Sequence, residues 1–286
     1  VPSIRIGAVQ YKMKPISSFE QFAEQAESHV QIGADFGAKF LLFPELFTTQ
    51  LLSIAPDRDP LRAIRSLDAY TEAYIVLFTR LAKEHNLYII AGTHVGSLET
   101  KPGLYNAAYL FAPDGSRQVQ EKVHLTPTEK NDWKLDAGDA FRVFETEYGK
   151  IAIVICYDIE FPEAVSTVVQ KGAELLFCPS CTDDEQGFYR VRFTSHARTI
   201  EHQVSVAVTG TVGYLPNVRY MESNVGQAAI LVPCDVPFPP QGIVNQGIKN
   251  EEMVIFGDVD LSMLREIREN GSVRPWHDRR PDVYGK

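Results

Sequence analysis

Short apolar runs of strand length alternate with stretches of helical period along this chain, twice over and in the same order. In the first half "IRIGAVQ" reads as a strand, and Ser18 to Phe36 as an amphipathic helix capped by Ser17 or Ser18. "KFLLFPEL" comes next as a short buried strand, then Asp59 to His85 as a second helix and "LYIIAGTHVG" as a third strand. In the second half "KIAIVICYD", "ELLFCPS" and "VSVAVTGTVG" read as strands. They are separated by the helices "PEAVSTVVQKG", with Pro162 near its first turn, and "GFYRVRFTSHARTIEH". The junctions match as well: "GADFGAKFLLFPE" beside "KGAELLFCPS", and "AGTHVG" beside "TGTVG". The pattern predicts two similar β-α-β-α-β halves in a layered α/β fold. Between them "NAAYLFAPDG" and "RQVQEKVHL" read as a hairpin turned at "PDG". No Gly-, Ser- or Pro-rich linker parts the halves, so one domain over residues 1–286 is expected, with its site where strands end and the halves meet.

With 286 residues, 44% of them hydrophobic, the chain can bury a sizeable core. Its net charge of −9 argues against nucleic acid or an anionic membrane as a partner. No apolar stretch is long enough to span a bilayer, and the opening residues lack the charged start and apolar core of a secretory signal. A cytoplasmic protein is therefore expected. The four cysteines, Cys156, Cys178, Cys181 and Cys234, are too few for a disulfide framework at this size. Each is to be read as core, ligand or nucleophile.

Cys156 ends an apolar strand and is followed by "YDIEFPE". A nucleophile on a strand-to-helix turn is exposed at the sheet edge, near free backbone N–H groups. Alone, such a cysteine is more often a buried structural residue. Glu45 ends "FLLFPEL" among Leu41, Leu42, Phe43, Leu46 and Phe47, and a carboxylate in that setting should have a raised pKa suited to a general base. Lys122, in "EKVHLTP", would by itself be an ordinary strand-edge lysine. Together the three complement one another. A thiol with a pKa of about 8.5 needs help at neutral pH; a carboxylate can take its proton and an ammonium can stabilise thiolate and oxyanion.

The blocks "LLFPEL", "EKVHL" and "VICYDIEFPE", in this order, resemble those of the nitrilase superfamily of carbon–nitrogen hydrolases. The resemblance runs from "IRIGAVQ" to "DRRPDVYG". It implies a Glu-Lys-Cys triad of Glu45, Lys122 and Cys156, with Glu129 in "LTPTEK" as the family's second glutamate. It implies an α-β-β-α sandwich, usually paired across subunits, hence a homodimer or larger homo-oligomer. It implies a small-molecule amide or nitrile substrate, a thioester intermediate, and neither metal nor organic cofactor. The backbone N–H of Tyr157 would join Lys122 in holding the oxyanion. An amidase is the main expectation. A nitrilase or acyltransferase with the same triad, a catalytically silent module of the same fold, and a Cys/His hydrolase are the alternatives.

Glu160 stands where many members of that family carry an arginine, in some of them a ligand for a substrate carboxylate. Glu160 is expected to stand uncompensated at the mouth, so neutral or cationic amides should be preferred over acidic ones, although Arg190 and Arg192 could reach back from the following helix. Tyr157, Glu160, His124 and Cys181 are the expected substrate-binding residues. The single "CPSC" pair has no second pair at finger spacing, so Cys178 and Cys181 read as core or pocket wall. Cys178, Cys181 and Cys234 are all expected to react slowly with thiol reagents. His94, His196 and His202 show no ligand spacing. The acidic loop "CTDDEQGFYRVR" resembles a branch whose hydrolase module is often fused to an acetyltransferase domain, and no stretch of this chain reads as such a domain. "VPCDVPFPPQGIV" is expected as a rigid loop at the rim. The polar tail from about residue 270 is expected as an arm lying across a partner subunit.

Overall fold

The computed structural model describes residues 3–284. Val1 and Pro2, ahead of the first expected strand, and Gly285 and Lys286, the end of the expected arm, lie outside the described residues. The first half runs β1 (Ile4–Met13), α1 (Phe19–Asp35), β2 (Phe40–Leu42), α2 (Pro60–Ser66), α3 (Thr71–His85) and β3 (Tyr88–Leu98). Ser18 caps α1 by accepting from the Gln21 N–H, and Phe22, Ala26 and Val30 line its buried face at helical spacing. The single helix expected from Asp59 to His85 is broken by a 3-10 turn at Leu67–Tyr70. Asp59 caps α2, and Asp68 is drawn aside to accept from the Ser97 N–H (2.6 Å) and hydroxyl (2.9 Å), which bends the chain over β3.

The hairpin is formed by β4 (Lys101–Phe111) and β5 (Arg117–Glu121), with Gly115 at a φ of 87° in its turn. Lys122 stands one residue beyond β5. The second half comprises β6 (Phe144–Thr146), β7 (Gly149–Ile153), α4 (Pro162–Gln170), β8 (Leu175–Ser180), α5 (Glu185–His202) and β9 (Ser205–Gly213). Beyond the reach of the repeat pattern come β10 (Ala229–Leu231), β11 (Ile243–Gln246), β12 (Met253–Val259), α6 (Leu261–Asn270) and α7 (Pro281–Tyr284). The proline-rich segment is the loop between β10 and β11.

Strands β5-β4-β3-β2-β1-β12 form one sheet and β6-β7-β8-β9-β10-β11 the other. They join where the ends of β1 and β9 pair in parallel, from Tyr11 opposite Thr211 to Met13 opposite Gly213. Period-two alternation then builds the layers. Ile4, Ile6 and Ala8 of β1 pack inward with Phe40, Leu42, Ile153, Phe177 and Val206 between the sheets. Val9, Tyr11 and Met13 face outward onto Phe22, Val30, Tyr74 and Phe78 of α1 and α3. Val165, Val168 and Val191 of α4 and α5 cover the second sheet. The result is the expected α-β-β-α sandwich of two similarly ordered halves. The segment after α6 is mostly exposed, but Trp276 packs on His202, their rings 5.3 Å apart, within the same chain. No helix among the described residues is long and apolar enough to cross a membrane.

Candidate active site

Cys156 does not end its strand as expected. β7 stops at Ile153, and Cys156 opens a 3-10 turn (Cys156–Glu160) with a φ of 45°. A left-handed conformation at a residue other than glycine costs on the order of 1–3 kcal/mol and persists only where the surroundings enforce it. Two contacts hold the end of this turn: Arg198 of α5 donates to the carbonyls of Ile159 and Glu160, both at 3.1 Å. Glu45 is set in a similar way. β2 ends at Leu42, Leu46 turns left-handed (φ 55°), and its N–H donates to the Thr93 hydroxyl at 2.9 Å. Gly92 makes room for that loop, since a Cβ there would run into the Pro44 carbonyl oxygen.

The side chains converge. Lys122 Nζ donates to Glu45 Oε1 (2.7 Å) and to Glu129 Oε2 (2.8 Å). Asn106 of β4 donates through Nδ2 to Glu45 Oε1 (2.9 Å) and Glu129 Oε1 (2.6 Å). The N–H and hydroxyl of Thr126 complete the shell of Glu129 at 2.8 and 2.9 Å. Glu45, Lys122 and Glu129 are 1–2% exposed and Cys156 6%, so the charges act on one another with little screening by water. The Cys156 thiol donates weakly to the Cys181 carbonyl (3.9 Å).

These surroundings push the titrations apart. Burial raises Glu45, and Glu129 adds to the rise against the opposing pull of Lys122. Burial also acts to raise Glu129, but Lys122 and the bonds from Asn106 and Thr126 outweigh it, and the net shift is downward. Burial would lower Lys122, yet Glu129 and Glu45 hold it well above the usual lysine range. Burial, reinforced by Glu45, lifts the Cys156 thiol well above the usual cysteine range, with Lys122 opposing. The resting set is thus a neutral thiol beside a carboxylate of raised basicity and a permanently charged ammonium, an arrangement able to take up a proton and stabilise a developing anion.

The other expected residues divide. Cys181 borders Cys156 through its carbonyl, while its thiol accepts from the Thr211 hydroxyl at 3.2 Å. Tyr157 is half-buried in the turn with its ring edge-on to Phe161. His124 is held by the protein: Nδ1 donates to Asp158 (2.8 Å) and the ring stacks on Phe161 at 3.8 Å. Glu160 is not uncompensated as expected. Arg190 reaches back to it at 3.6 Å, which removes the premise for favouring neutral or cationic amides. Arg192 instead donates to Gln246 and the Gln227 carbonyl. Cys234 is exposed, which removes the ground for expecting it to react slowly, whereas burial pushes the thiols of Cys178 and Cys181 up to about 12.

Sequence reasoning passed over Asn106, Asp158 and Arg198. An asparagine in the apolar strand "LYNAAYLF" was the available signal, since asparagine is depleted in strands. Asp158 is fully buried and accepts from the N–H groups of Val123 (3.2 Å) and His124 (2.7 Å), tying the segment after Lys122 to the turn of Cys156. Two roomier hollows, of about 620 Å³ between α1 and β12 and about 1180 Å³ beside β5, include none of the four charged or nucleophilic residues. Chemistry rather than volume singles out the site.

The family model for carbon–nitrogen hydrolases matches residues 5–269. The chain is 48% identical over 281 residues to the probable hydrolase YhcX of Bacillus subtilis (strain 168), covering 98% of this chain but 54% of that protein, so it spans about half the length of this relative. It is 30% identical over 292 residues to the omega-amidase NIT2 of Xenopus tropicalis, covering 98% of this chain and 96% of that one. The crystal structure of a carbon-nitrogen hydrolase from Helicobacter pylori G27 superposes with a TM-score of 0.80 at 20% identity, over 99% of this chain and 97% of the other, a likeness of fold.

Proposed function

This chain belongs to the carbon–nitrogen hydrolase family, and we propose that within it the chain is a thiol-dependent amidase acting on small-molecule amides. One observation carries the reading: Lys122 is pinned between Glu45 and Glu129, out of water, beside the left-handed turn of Cys156.

In the proposed reaction Glu45 takes the thiol proton as the sulfur attacks the amide carbon. Lys122 and the backbone N–H of Tyr157 hold the oxyanion. On collapse the carbon–nitrogen bond breaks, and Glu45 returns the proton to the departing ammonia or amine. A thioester on Cys156 remains. Glu45 then takes a proton from water, the hydroxide attacks the thioester, and the acid leaves as the thiol regains its proton. Glu129 keeps Lys122 in place and charged. Tyr157 and Cys181 wall the acyl site, and His124 and Glu160 shape its rim through Phe161 and Arg190. A homodimer built on α5 accompanies this reading, supported by the exposed Tyr189, Phe193 and Ile200 of that helix.

The test is a screen of amides, nitriles and carbamoyl compounds for ammonia release, with Cys156→Ala alongside. Release from amides by the wild type, none by the variant, and an acyl mass on Cys156 in quenched samples are expected. Turnover that persists in Cys156→Ala would sink the mechanism. Product analysis separates an amidase from a nitrilase, and an added amine acceptor reveals acyl transfer.

A further inference from the structure

Asn106 touches every charged member of the site. Its side-chain amide donates to both Glu45 and Glu129, and its backbone carbonyl accepts the Lys122 N–H at 2.9 Å. The amide has one workable orientation, because a flip would turn its oxygen onto two carboxylates. In that orientation the carbonyl Oδ1 is buried without a hydrogen-bond partner among the described residues. Leaving a buried acceptor unpaired is unfavourable, so an amide here is explained by what its donors do rather than by packing.

We propose that Asn106 is a positioning residue for the reaction, fixing Glu45 and Glu129 on either side of Lys122 and keeping Glu45 available as the base. The groups facing Glu45 are Lys122 from the segment after β5, Glu129 from the turn after Pro127 and Cys156 from the turn after β7. Of these only Lys122 brings a positive charge, and it is shared with Glu129. Asn106 supplies the remaining donors without adding a second cation, which would hold Glu45 too firmly ionised to accept a proton. The proposal rests on the reading of Glu45 as the base.

The test needs no substrate. Alkylation of Cys156 by iodoacetamide is followed across pH in the full chain, with the exposed Cys234 changed to serine. Removing donors from a charged carboxylate disfavours its ionised form, so the acid limb moves to higher pH. In Asn106→Leu the half-maximal point should rise by on the order of one pH unit. Asn106→Asp, equal in size, sets a third carboxylate against the other two and should move it in the same direction. On an amide that the wild type turns over, kcat should fall about ten-fold or more with KM within about two-fold. A limb that stays in place in both variants overturns the proposal, as does a rate lost at every pH in step with the folded fraction by circular dichroism. Should Asn106→Leu not fold, Asn106→Asp decides. Failure of both to fold would make Asn106 a residue of the fold and not of the reaction. If no amide is turned over but the alkylation limb moves as expected, the activity reading fails and this one stands.

Discussion

Glu45 and Glu129 are the same side chain held on either side of one lysine, and their surroundings drive them in opposite directions. Glu45 is raised by burial and by Glu129, while Glu129 is lowered by Lys122 and its donors despite burial. Their contributions to stability therefore have opposite pH dependence. A carboxyl raised in the fold contributes stability below its unfolded pKa and loses it as pH rises through the folded value. Glu129 contributes above its unfolded pKa, and that contribution is lost as pH falls through its lowered value. We therefore expect Glu45→Gln to lose about 10²- to 10⁴-fold in kcat, with a melting gap from wild type that narrows as pH rises. Glu129→Gln should melt lower, and the gap should close on acidification. Thermal melts across pH check both, and a Glu45→Gln gap that holds or widens as pH rises would refute the raised Glu45. At the same scale, peptide mapping after brief iodoacetamide treatment should find Cys234 labelled as an ordinary exposed thiol and Cys178 and Cys181 spared.

Among elements, the turn from Cys156 to Glu160 is held from outside. Arg198 of α5 grips its last carbonyls, and Asp158 reaches across to the two N–H groups just past Lys122. Those N–H groups lie beyond β5 and have no strand to pair with, so the carboxylate substitutes for a neighbour in the sheet. The turn of Cys156 and the segment of Lys122 thereby share one rigid support. Asp158→Asn keeps the shape but presents an amide where the carboxylate accepted bonds. It should cost about 1–3 kcal/mol of stability and lower kcat by about ten-fold or more, read from urea midpoints and steady-state kinetics. Unchanged kcat in a destabilised Asp158→Asn would mean that Lys122 keeps its place without the latch.

For the whole molecule, the two sheets meet along β1 and β9, and Cys156 of the second half faces Glu45 of the first half and Lys122 beyond the hairpin. α5 holds the turn of Cys156 from its inner side and presents Tyr189, Phe193 and Ile200 outward, with Phe193 65% exposed. A second copy covering that face would bury the apolar stripe and brace the turn. Light scattering should accordingly report a dimer or larger species, and Phe193→Asp should shift it towards monomer with reduced activity. A fully active wild-type monomer at working concentration would count against this assembly.

The order of strands and helices was legible in the chain itself, whereas the α-β-β-α layering and the grouping of Glu129 with Glu45, Lys122 and Cys156 came with the family resemblance. Burial periodicity is a local property, and the three motif blocks lie at strand ends where polar residues interrupt apolar runs. The break between α2 and α3, the left-handed turn at Cys156 and the strands after β9 were not legible. Ser97 bonds Asp68 where the chain bends, and Arg198 and Asp158 hold the turn in which Cys156 takes its positive φ. Asn106, Asp158 and the pairing of Arg190 with Glu160 belong to this second kind. Their partners lie 30 or more residues away along the chain, apart from the contacts of Asn106 with Glu129 and Lys122. A hydrogen bond or ion pair across such separations has no local periodicity to announce it, and only the closed sandwich decided which buried polar groups would meet.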